Sequence, residues 1–217
     1  MPAFSRQHGP VEPMDDKPRQ LAVFDFDGTL IEGDSLWPFL MYVAGWPRVA
    51  AALGEAALLF ALRFLKNKND PRLADRRSFL KGQLLHRLLA GRKPDELRPA
   101  IDKLYKWQKW NKPIRDVLLD HYNKGHQIVI ASGGLDLYLP ELLMDLPPRA
   151  LICTRIEVRD GVVTGAMPSG NCVRARKTEI LARYIEKNGP FAESWGYGNF
   201  PHDLPMLALL KHRIIIS

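Results

Sequence analysis

The feature that most constrains the fold of this chain is an apolar run that ends in two closely spaced aspartates. Residues 21–24 are all apolar, and the hexapeptide DFDGTL fills residues 25–30. Such a run predicts a buried strand of a parallel sheet, and α/β proteins place their ligands at the carboxyl ends of these strands. Because side chains alternate along a strand, Asp25 and Asp27 should have separate environments. One of them can then attack or bind a metal while the other handles a proton, which suits phosphoryl transfer.

The pattern changes to helices after this strand. Helix-spaced apolar residues predict helices over 36–44, 49–66, 76–89 and 95–109. Breakers at Pro47, in residues 67–71 and in residues 91–94 separate them. We therefore expect a helical insertion between the first strand and the rest of the sheet.

From Pro113 onward, helices and strands alternate. Helices are predicted over 114–123, 136–144, 174–187 and 204–210, and strands over 127–131, 150–153, 194–197 and 213–216. Asp160 and Gly161 lie between two short β-like segments and predict a hairpin, since this pair tolerates positive φ. The alternation is typical of a doubly wound α/β domain.

Composition limits the class of protein. With 217 residues, of which 46% are hydrophobic, the chain can bury a substantial core in one domain. Cys153 and Cys172 have no CxxC spacing, so neither a disulfide framework nor a structural zinc site is indicated. A reducing compartment fits best, and we expect a cytoplasmic protein.

The termini and the charge add further expectations. Residues 1–19 combine prolines with charges and lack the apolar stretch of a signal peptide, which predicts a flexible tail. The longest uncharged run, residues 35–47, is too short to span a bilayer. The net charge of +7 favours anionic partners. Because the basic residues are spread along the chain, nucleic acid is not expected among them.

Four separated segments resemble the motifs of the haloacid dehalogenase superfamily, and most closely its phosphoserine-phosphatase-like branch, subfamily IB. They are residues 25–30, 130–134, 177–181 and 196–207. The resemblance covers nearly all of residues 21–217. It implies a Rossmann-like doubly wound parallel sheet with a small α-helical cap inserted after the first strand. The expected division is a core of residues 20–33 and 111–217 with a cap of residues 34–110.

The resemblance also implies roles for individual residues. Asp25 would be the nucleophile that forms an aspartyl-phosphate, and Asp27 would donate a proton to the leaving group and later activate water. Ser132, Gly133 and Lys177 would hold the phosphoryl group. The implied substrate is a small phosphomonoester such as phosphoserine.

A Mg²⁺ site is implied as well, formed by Asp25, the backbone carbonyl of Asp27 and an aspartate of the fourth motif. Asn199 stands at that third position. An amide oxygen can bind Mg²⁺ but brings no negative charge, so we expect weaker metal binding unless Asp203 compensates, directly or through water. The alternative is a degenerate site that binds a phosphate ligand with weak turnover.

The cap residues are harder to assign. Asp34 stands where the phosphoserine phosphatases carry a glutamate that binds the substrate ammonium, and it can equally be a helix N-cap. Lys81, Arg77 and Arg87 are candidate substrate-binding cations, with a solvated helix face as the alternative for each.

Residues 49–65 are more apolar than a small cap helix needs. They can form the core of the cap or contact an acidic membrane surface at the inner face of the membrane. The second possibility resembles the bacterial phosphatidylglycerophosphate phosphatases of the same superfamily and predicts a lipid phosphate as substrate.

Overall fold

The computed structural model describes residues 19–70 and 73–216. The predicted tail, apart from Arg19, and the predicted breaker Pro71 lie outside these residues.

Seven strands are formed within the described residues. They are β1 (Gln20–Phe24), β2 (Gln127–Leu135), β3 (Ala150–Thr154), β4 (Val158–Arg159), β5 (Val162–Val163), β6 (Glu193–Asn199) and β7 (His212–Ile216). Five of them form one sheet in the order β3-β2-β1-β6-β7, and every pair in it is parallel. β4 and β5 form the predicted hairpin, in which Asp160 and Gly161 both have positive φ.

Eight helices accompany the strands in the described residues. They are α1 (Leu36–Ala44), α2 (Trp46–Lys66), α3 (Arg76–Leu89), α4 (Pro94–Trp107), α5 (Lys112–Asn123), α6 (Leu139–Leu142), α7 (Arg174–Asn188) and α8 (Leu204–Leu207). This confirms the predicted Rossmann-like α/β fold, with four helices, α1 to α4, following β1. None of the described helices combines the length and the apolar composition needed to cross a membrane.

Strand β1 is buried on both faces, as its apolar run predicts. Leu21 and Val23 pack into one apolar cluster, while Ala22 and Phe24 pack into another on the opposite face. The second cluster also contains Phe39 of α1 and side chains of α3 and α4. The helices that follow β1 are therefore packed onto the same core, and the exact division into core and cap stays a prediction.

Three helices differ in length from their prediction by three residues or more. α2 begins at Trp46 because Pro47 lies in its first turn, where a missing N–H is tolerated, and the break falls at Gly45, with φ +79°. α6 is only four residues long because residues 136–138 and 143–145 form turns, and β2 continues to Leu135, past a shift of register after Ala131. α8 is likewise a single turn instead of the predicted seven-residue helix.

The strand order places β1 at the centre of the sheet. The chain proceeds from β1 to β2 and β3 on one side, and β6 and β7 lie on the other. The carboxyl end of β1 is therefore at the switch point of the sheet, where open α/β folds bind their ligands.

Candidate active site

A buried lysine between two buried aspartates forms the centre of the site. Lys177 Nζ lies 2.7 Å from Asp25 Oδ1 and 2.7 Å from Asp203 Oδ1. The exposed fractions of Lys177, Asp25 and Asp203 are 4%, 5% and 4%. Asp25 directly follows β1, Lys177 belongs to the first turn of α7, and Asp203 directly precedes α8. Buried charges require such pairing, because an isolated ion would be too costly to remove from water.

Burial and charge act in opposite directions on these groups. Burial raises the pKa of Asp25, and the charge of Lys177 reduces this effect without cancelling it. Burial alone would lower the pKa of Lys177, but the charges of Asp25 and Asp203 outweigh it and raise that pKa above its ordinary value. Lys177 is therefore a permanent cation beside Asp25.

Asp27 has a different environment, as the alternation of side chains predicts. Its Oδ1 accepts a hydrogen bond of 2.8 Å from the backbone N–H of Ser35. Burial raises the pKa of Asp27 to about 7, and the charges of Asp34 and Asp25 contribute to this rise. A carboxyl group with this pKa can hold a proton at neutral pH and also release it.

The end of β2, past its shift of register, supplies a hydroxyl and two glycines. Ser132 is fully buried, and its Oγ accepts the N–H of Gly134 at 2.9 Å. An accepting hydroxyl keeps its own proton for donation. Gly133 cannot easily be replaced, since a Cβ there would lie 2.9 Å from Cγ1 of Val173.

Lys81 connects helix α3 to the end of β2. Its Nζ donates to the carbonyl of Gly133 at 2.5 Å, to Oδ1 of Asn171 at 2.9 Å and to Oγ1 of Thr154 at 3.3 Å. Burial lowers the pKa of Lys81 to about 8. An ammonium group has three N–H donors, and here all three have protein acceptors. The predicted contact of Lys81 with substrate stays a prediction, and its observed contacts favour a positioning role.

Asn199 is adjacent to the backbone of the first motif. Its Nδ2 donates to the carbonyl of Asp27 at 3.0 Å, and its backbone N–H donates to Oδ2 of Asp203 at 2.8 Å. Gly28 has φ +71°, and a Cβ there would lie 2.8 Å from Nδ2 of Asn199. The glycine of the hexapeptide therefore allows both the left-handed turn and the close approach of the amide.

Oxygen atoms of three residues at this site could bind a cation. No group of three or more histidine, cysteine, aspartate or glutamate side chains in the described part of the chain is arranged to hold a metal ion. A site here would combine the carboxylate of Asp25, the carbonyl of Asp27 and the amide oxygen of Asn199, after a rotation of the amide. These are hard oxygen ligands of the kind that Mg²⁺ prefers. Both oxygens of Asp203 already accept hydrogen bonds, which favours a supporting role for it.

A cavity of about 520 Å³ joins these groups. Asp25, Asp27, Lys177 and Asn199 line it together with the two glycines at the end of β2. Helices α1 to α3 contribute an apolar wall formed by Leu36, Trp37, Leu53, Leu80 and Leu84.

Polar side chains complete the cavity. Asp34 lines it and also accepts the N–H of Leu36 at 2.9 Å, although the N-cap residue of α1 is Ser35 and not Asp34. Arg77 and His202 line it and contact each other at 3.1 Å. Arg87, in contrast, pairs with Glu55 at 2.9 Å on the surface.

Several contacts of the site had no clear signal in the sequence. Thr29 donates to Oδ2 of Asp25 at 3.3 Å, and only its place in the hexapeptide hinted at this. Ser35 donates its backbone N–H to Asp27, which every residue type except proline can do. Thr154 and Asn171 hold Lys81 and Gly133 from distant parts of the chain.

Comparisons with known proteins agree with this architecture. The model of the haloacid dehalogenase-like hydrolases matches residues 22–208. Protein CicA of Caulobacter vibrioides is 30% identical over 202 residues, covering 89% of this chain and 84% of that protein. A phosphoserine phosphatase of Streptococcus thermophilus is 24% identical over 188 residues, covering 86% of this chain and 79% of that enzyme. A solved structure of a protein of unknown function from Bordetella pertussis Tohama I has a TM-score of 0.71 at 22% identity, covering 92% of this chain and 90% of that one.

Proposed function

The chain belongs to the haloacid dehalogenase-like hydrolase family, and we propose that it hydrolyses phosphomonoesters through a covalent intermediate on Asp25. Membership of this family and the likeness to a phosphoserine phosphatase support phosphatase activity. The observation that carries the proposal is that one cavity is lined by a lysine-paired aspartate, Asp25, and by a second aspartate, Asp27, whose pKa is raised to about 7.

The proposed reaction has two steps. In the first, a carboxylate oxygen of Asp25 attacks phosphorus, the bond from phosphorus to the ester oxygen breaks, and Asp27 gives its proton to the leaving oxygen. In the second, Asp27 takes a proton from water as that water attacks the phosphorus of the aspartyl-phosphate. Inorganic phosphate leaves, Asp25 is restored as a carboxylate, and Asp27 is protonated again.

The ammonium group of Lys177 and the end of β2 assist both steps. A phosphomonoester dianion and the Asp25 carboxylate repel each other, and Lys177 at 2.7 Å reduces this repulsion. Ser132 and the backbone of Gly133 would donate to the phosphoryl oxygens. Lys81 holds the carbonyl of Gly133, so the end of β2 should keep its shape when substrate binds.

We infer that Mg²⁺ is the cofactor, held by Asp25, the carbonyl of Asp27 and Asn199. When bound, the ion would neutralise negative charge between the substrate and Asp25. Asp203 would support it indirectly, through its hydrogen bonds with Lys177 and the backbone of Asn199.

The substrate is proposed as a small phosphomonoester, with phosphoserine as the first compound to test because a relative is a phosphoserine phosphatase. The apolar wall that includes Trp37, Leu53 and Leu84 favours a second candidate, a phosphomonoester with an apolar group, of which a lipid phosphate is one kind.

Hydrolysis of an aryl phosphate with and without Mg²⁺ tests the proposal. We expect activity in the wild type with Mg²⁺ and a loss of about a thousandfold or more in Asp25→Asn. The matched control is Asp102→Asn, because Asp102 is exposed on α4 and away from the cavity. Undiminished hydrolysis by a folded Asp25→Asn protein would contradict the proposal. Phosphate binding without any hydrolysis in the wild type would favour the ligand-binding alternative.

A further inference from the structure

Helix α2 is apolar on its exposed side as well as on its buried side. Its buried residues are Val49, Ala52 and Ala56. With 100° between successive residues, the opposite side of the helix carries a second set of residues, which we call the outer face of α2. The outer face consists of Ala51, Gly54, Leu58, Ala61, Leu62 and Leu65, and all of them are exposed. A helix on the surface of a soluble domain normally carries charged and polar residues on this side.

The leucines of the outer face are among the most exposed apolar side chains that the structure describes. Leu58, Leu62 and Leu65 are 60%, 53% and 76% exposed. Complete burial of one leucine side chain is worth about 1.5–3 kcal/mol in transfer free energy. Three of them on one side of a helix form a surface that gains substantially from leaving water.

The charged residues of α2 do not interrupt this surface. Glu55 pairs with Arg87 of α3 at 2.9 Å, and the guanidinium of Arg63 lies 5.6 Å from the ring centre of Phe79 on α3. These contacts direct two of the charges of α2 toward the neighbouring helix. The outer face itself carries no charge over its whole length.

The two ends of α2 carry the residue types that favour a lipid interface. Trp46, at the start of the helix, is 71% exposed, and Tyr42 of α1 is 38% exposed nearby in sequence. Lys66 and Lys68, at the other end, are also exposed. Aromatic side chains with a polar tip favour the headgroup region, and lysines favour anionic headgroups.

We propose that the outer face of α2 docks this protein on an anionic membrane surface. In this arrangement α2 lies along the plane of the interface, with Leu58, Leu62 and Leu65 inserted among the acyl chains and the basic residues against the headgroups. Leu53, the residue of α2 that lines the cavity, is outside this face. The docking proposal therefore does not rest on the proposed phosphatase activity.

Charge favours a membrane over a second copy of the chain. If two copies packed antiparallel through their outer faces, Arg48 of each copy would approach Lys66 of the other, and both chains carry a net charge of +7. Like charges destabilise such a contact. Anionic headgroups complement the same residues.

Co-sedimentation with lipid vesicles tests the proposal. We expect the wild type to sediment with vesicles of equal parts phosphatidylcholine and phosphatidylglycerol, and to stay in solution with phosphatidylcholine alone. Replacement of Leu58, Leu62 and Leu65 by Gln should weaken binding by about tenfold or more for each leucine lost. Replacement of Lys66 and Lys68 by Glu should weaken it by about fivefold or more for each residue.

The matched control replaces exposed apolar residues on other elements, in the variant Met144→Gln with Val158→Gln, whose side chains are 56% and 45% exposed. This variant should bind as the wild type does. Melting temperatures establish that every variant is folded. On acidic vesicles, the Trp emission of the wild type should shift to shorter wavelength, and Trp46→Phe should reduce the shift.

Three results would overturn the docking proposal. They are no preference of the wild type for acidic vesicles, unchanged binding by the folded leucine variant, and a concentration-dependent dimer in solution that the leucine variant abolishes. Asp25→Asn should still bind vesicles. Absence of vesicle binding by a wild type that hydrolyses normally would refute docking alone, and absence of hydrolysis by a wild type that binds vesicles would leave docking intact.

Discussion

The side-chain amide of Asn199 donates a hydrogen bond of 3.0 Å to the backbone carbonyl of Asp27. This bond joins the fourth motif of the site to the first, and it occupies the carbonyl that is proposed to bind Mg²⁺. The amide nitrogen therefore holds the two segments together when no cation is bound, which a carboxylate could not do.

The first prediction follows from this bond. Asn199→Asp should lower the free energy of unfolding without metal, since a carboxylate would face the carbonyl of Asp27 with no proton to donate. With Mg²⁺ it should bind the ion about tenfold more tightly, because a negatively charged ligand replaces a neutral one. The rise in melting temperature with Mg²⁺ concentration measures this without relying on activity.

The control for this substitution is Asn69→Asp, at an exposed position in the connection after α2. It should leave the response to Mg²⁺ unchanged. An equal response to Mg²⁺ in Asn199→Asp and in the wild type would refute the placement of the ion.

The second prediction concerns the buried lysine. Lys177→Met leaves Asp25 and Asp203 buried without their cation, and removal of one partner of a buried pair costs about 3–5 kcal/mol. We expect a loss of this size in urea unfolding at neutral pH, together with a loss of hydrolysis. Lys187→Met, at an exposed position on the same helix, should change the free energy of unfolding by less than about 0.5 kcal/mol. Similar stabilities of the two variants would contradict the buried ion pairs.

The third prediction separates two roles for Lys81. If Lys81 positions the end of β2, Lys81→Met should slow hydrolysis of every phosphomonoester by a similar factor, because the carbonyl of Gly133 loses one of its two side-chain donors. It should also lower the free energy of unfolding by about 2 kcal/mol, since buried acceptors lose their donor. If Lys81 binds substrate instead, KM should rise mainly for substrates with a second anionic group. A panel of esters with and without such a group distinguishes the two outcomes.

The fourth prediction is a pH dependence of stability that arises away from the active site. His121 is buried, its Nε2 lies 2.8 Å from the hydroxyl of Tyr197, and its Nδ1 lies 2.7 Å from Nδ1 of His126. Burial, and then the neighbouring His126, lower the pKa of His121 to about 4, against an ordinary value near 6.5. Between these values the unfolded chain binds the proton and the folded chain does not.

The neutral His121 therefore contributes fully to the free energy of unfolding well above pH 6.5, and this contribution is lost as the pH falls toward about 4. At pH 5 its loss should lower the free energy of unfolding by about 2 kcal/mol relative to neutral pH. His121→Gln keeps a hydrogen-bonding group near Tyr197 and should remove this part of the pH dependence. Urea unfolding of both proteins at pH 7 and pH 5 measures the difference. An equal loss of free energy of unfolding between pH 7 and pH 5 in the two proteins would refute the assignment of this pH dependence to His121.

Local patterns predicted much of the fold. The bounds of α3 were predicted correctly because its apolar spacing is regular and Asp75 accepts the N–H groups of Arg77 and Ser78 at its start. The length of α6 was not, since residues 136–138 and 143–145 form turns although their apolar residues are spaced as in a helix. The orientation of α2 could not be predicted either, because a helix that is apolar on both sides does not indicate which side is buried.

The candidate site also has a part that the sequence predicted and a part that it did not. Asp25, Lys177 and Asp203 belong to motifs with a recognisable order, and the structure brings them together. The bond between Lys81 and Asn171 joins residues 90 positions apart, and neither belongs to a motif. Only the folded chain reveals such a contact, since nothing in the local sequence specifies a hydrogen-bond partner at that distance.

The most direct test of the account is to identify the residue that becomes phosphorylated during turnover. Asp27→Asn should slow hydrolysis of the intermediate, because the variant lacks the base that activates water. Rapid acid quenching of this variant with an aryl phosphate, followed by peptide mass spectrometry, should find a phosphoryl group on Asp25. Turnover by the wild type with no phosphoryl group on Asp25 in either protein, or with the group on another residue, would contradict the account.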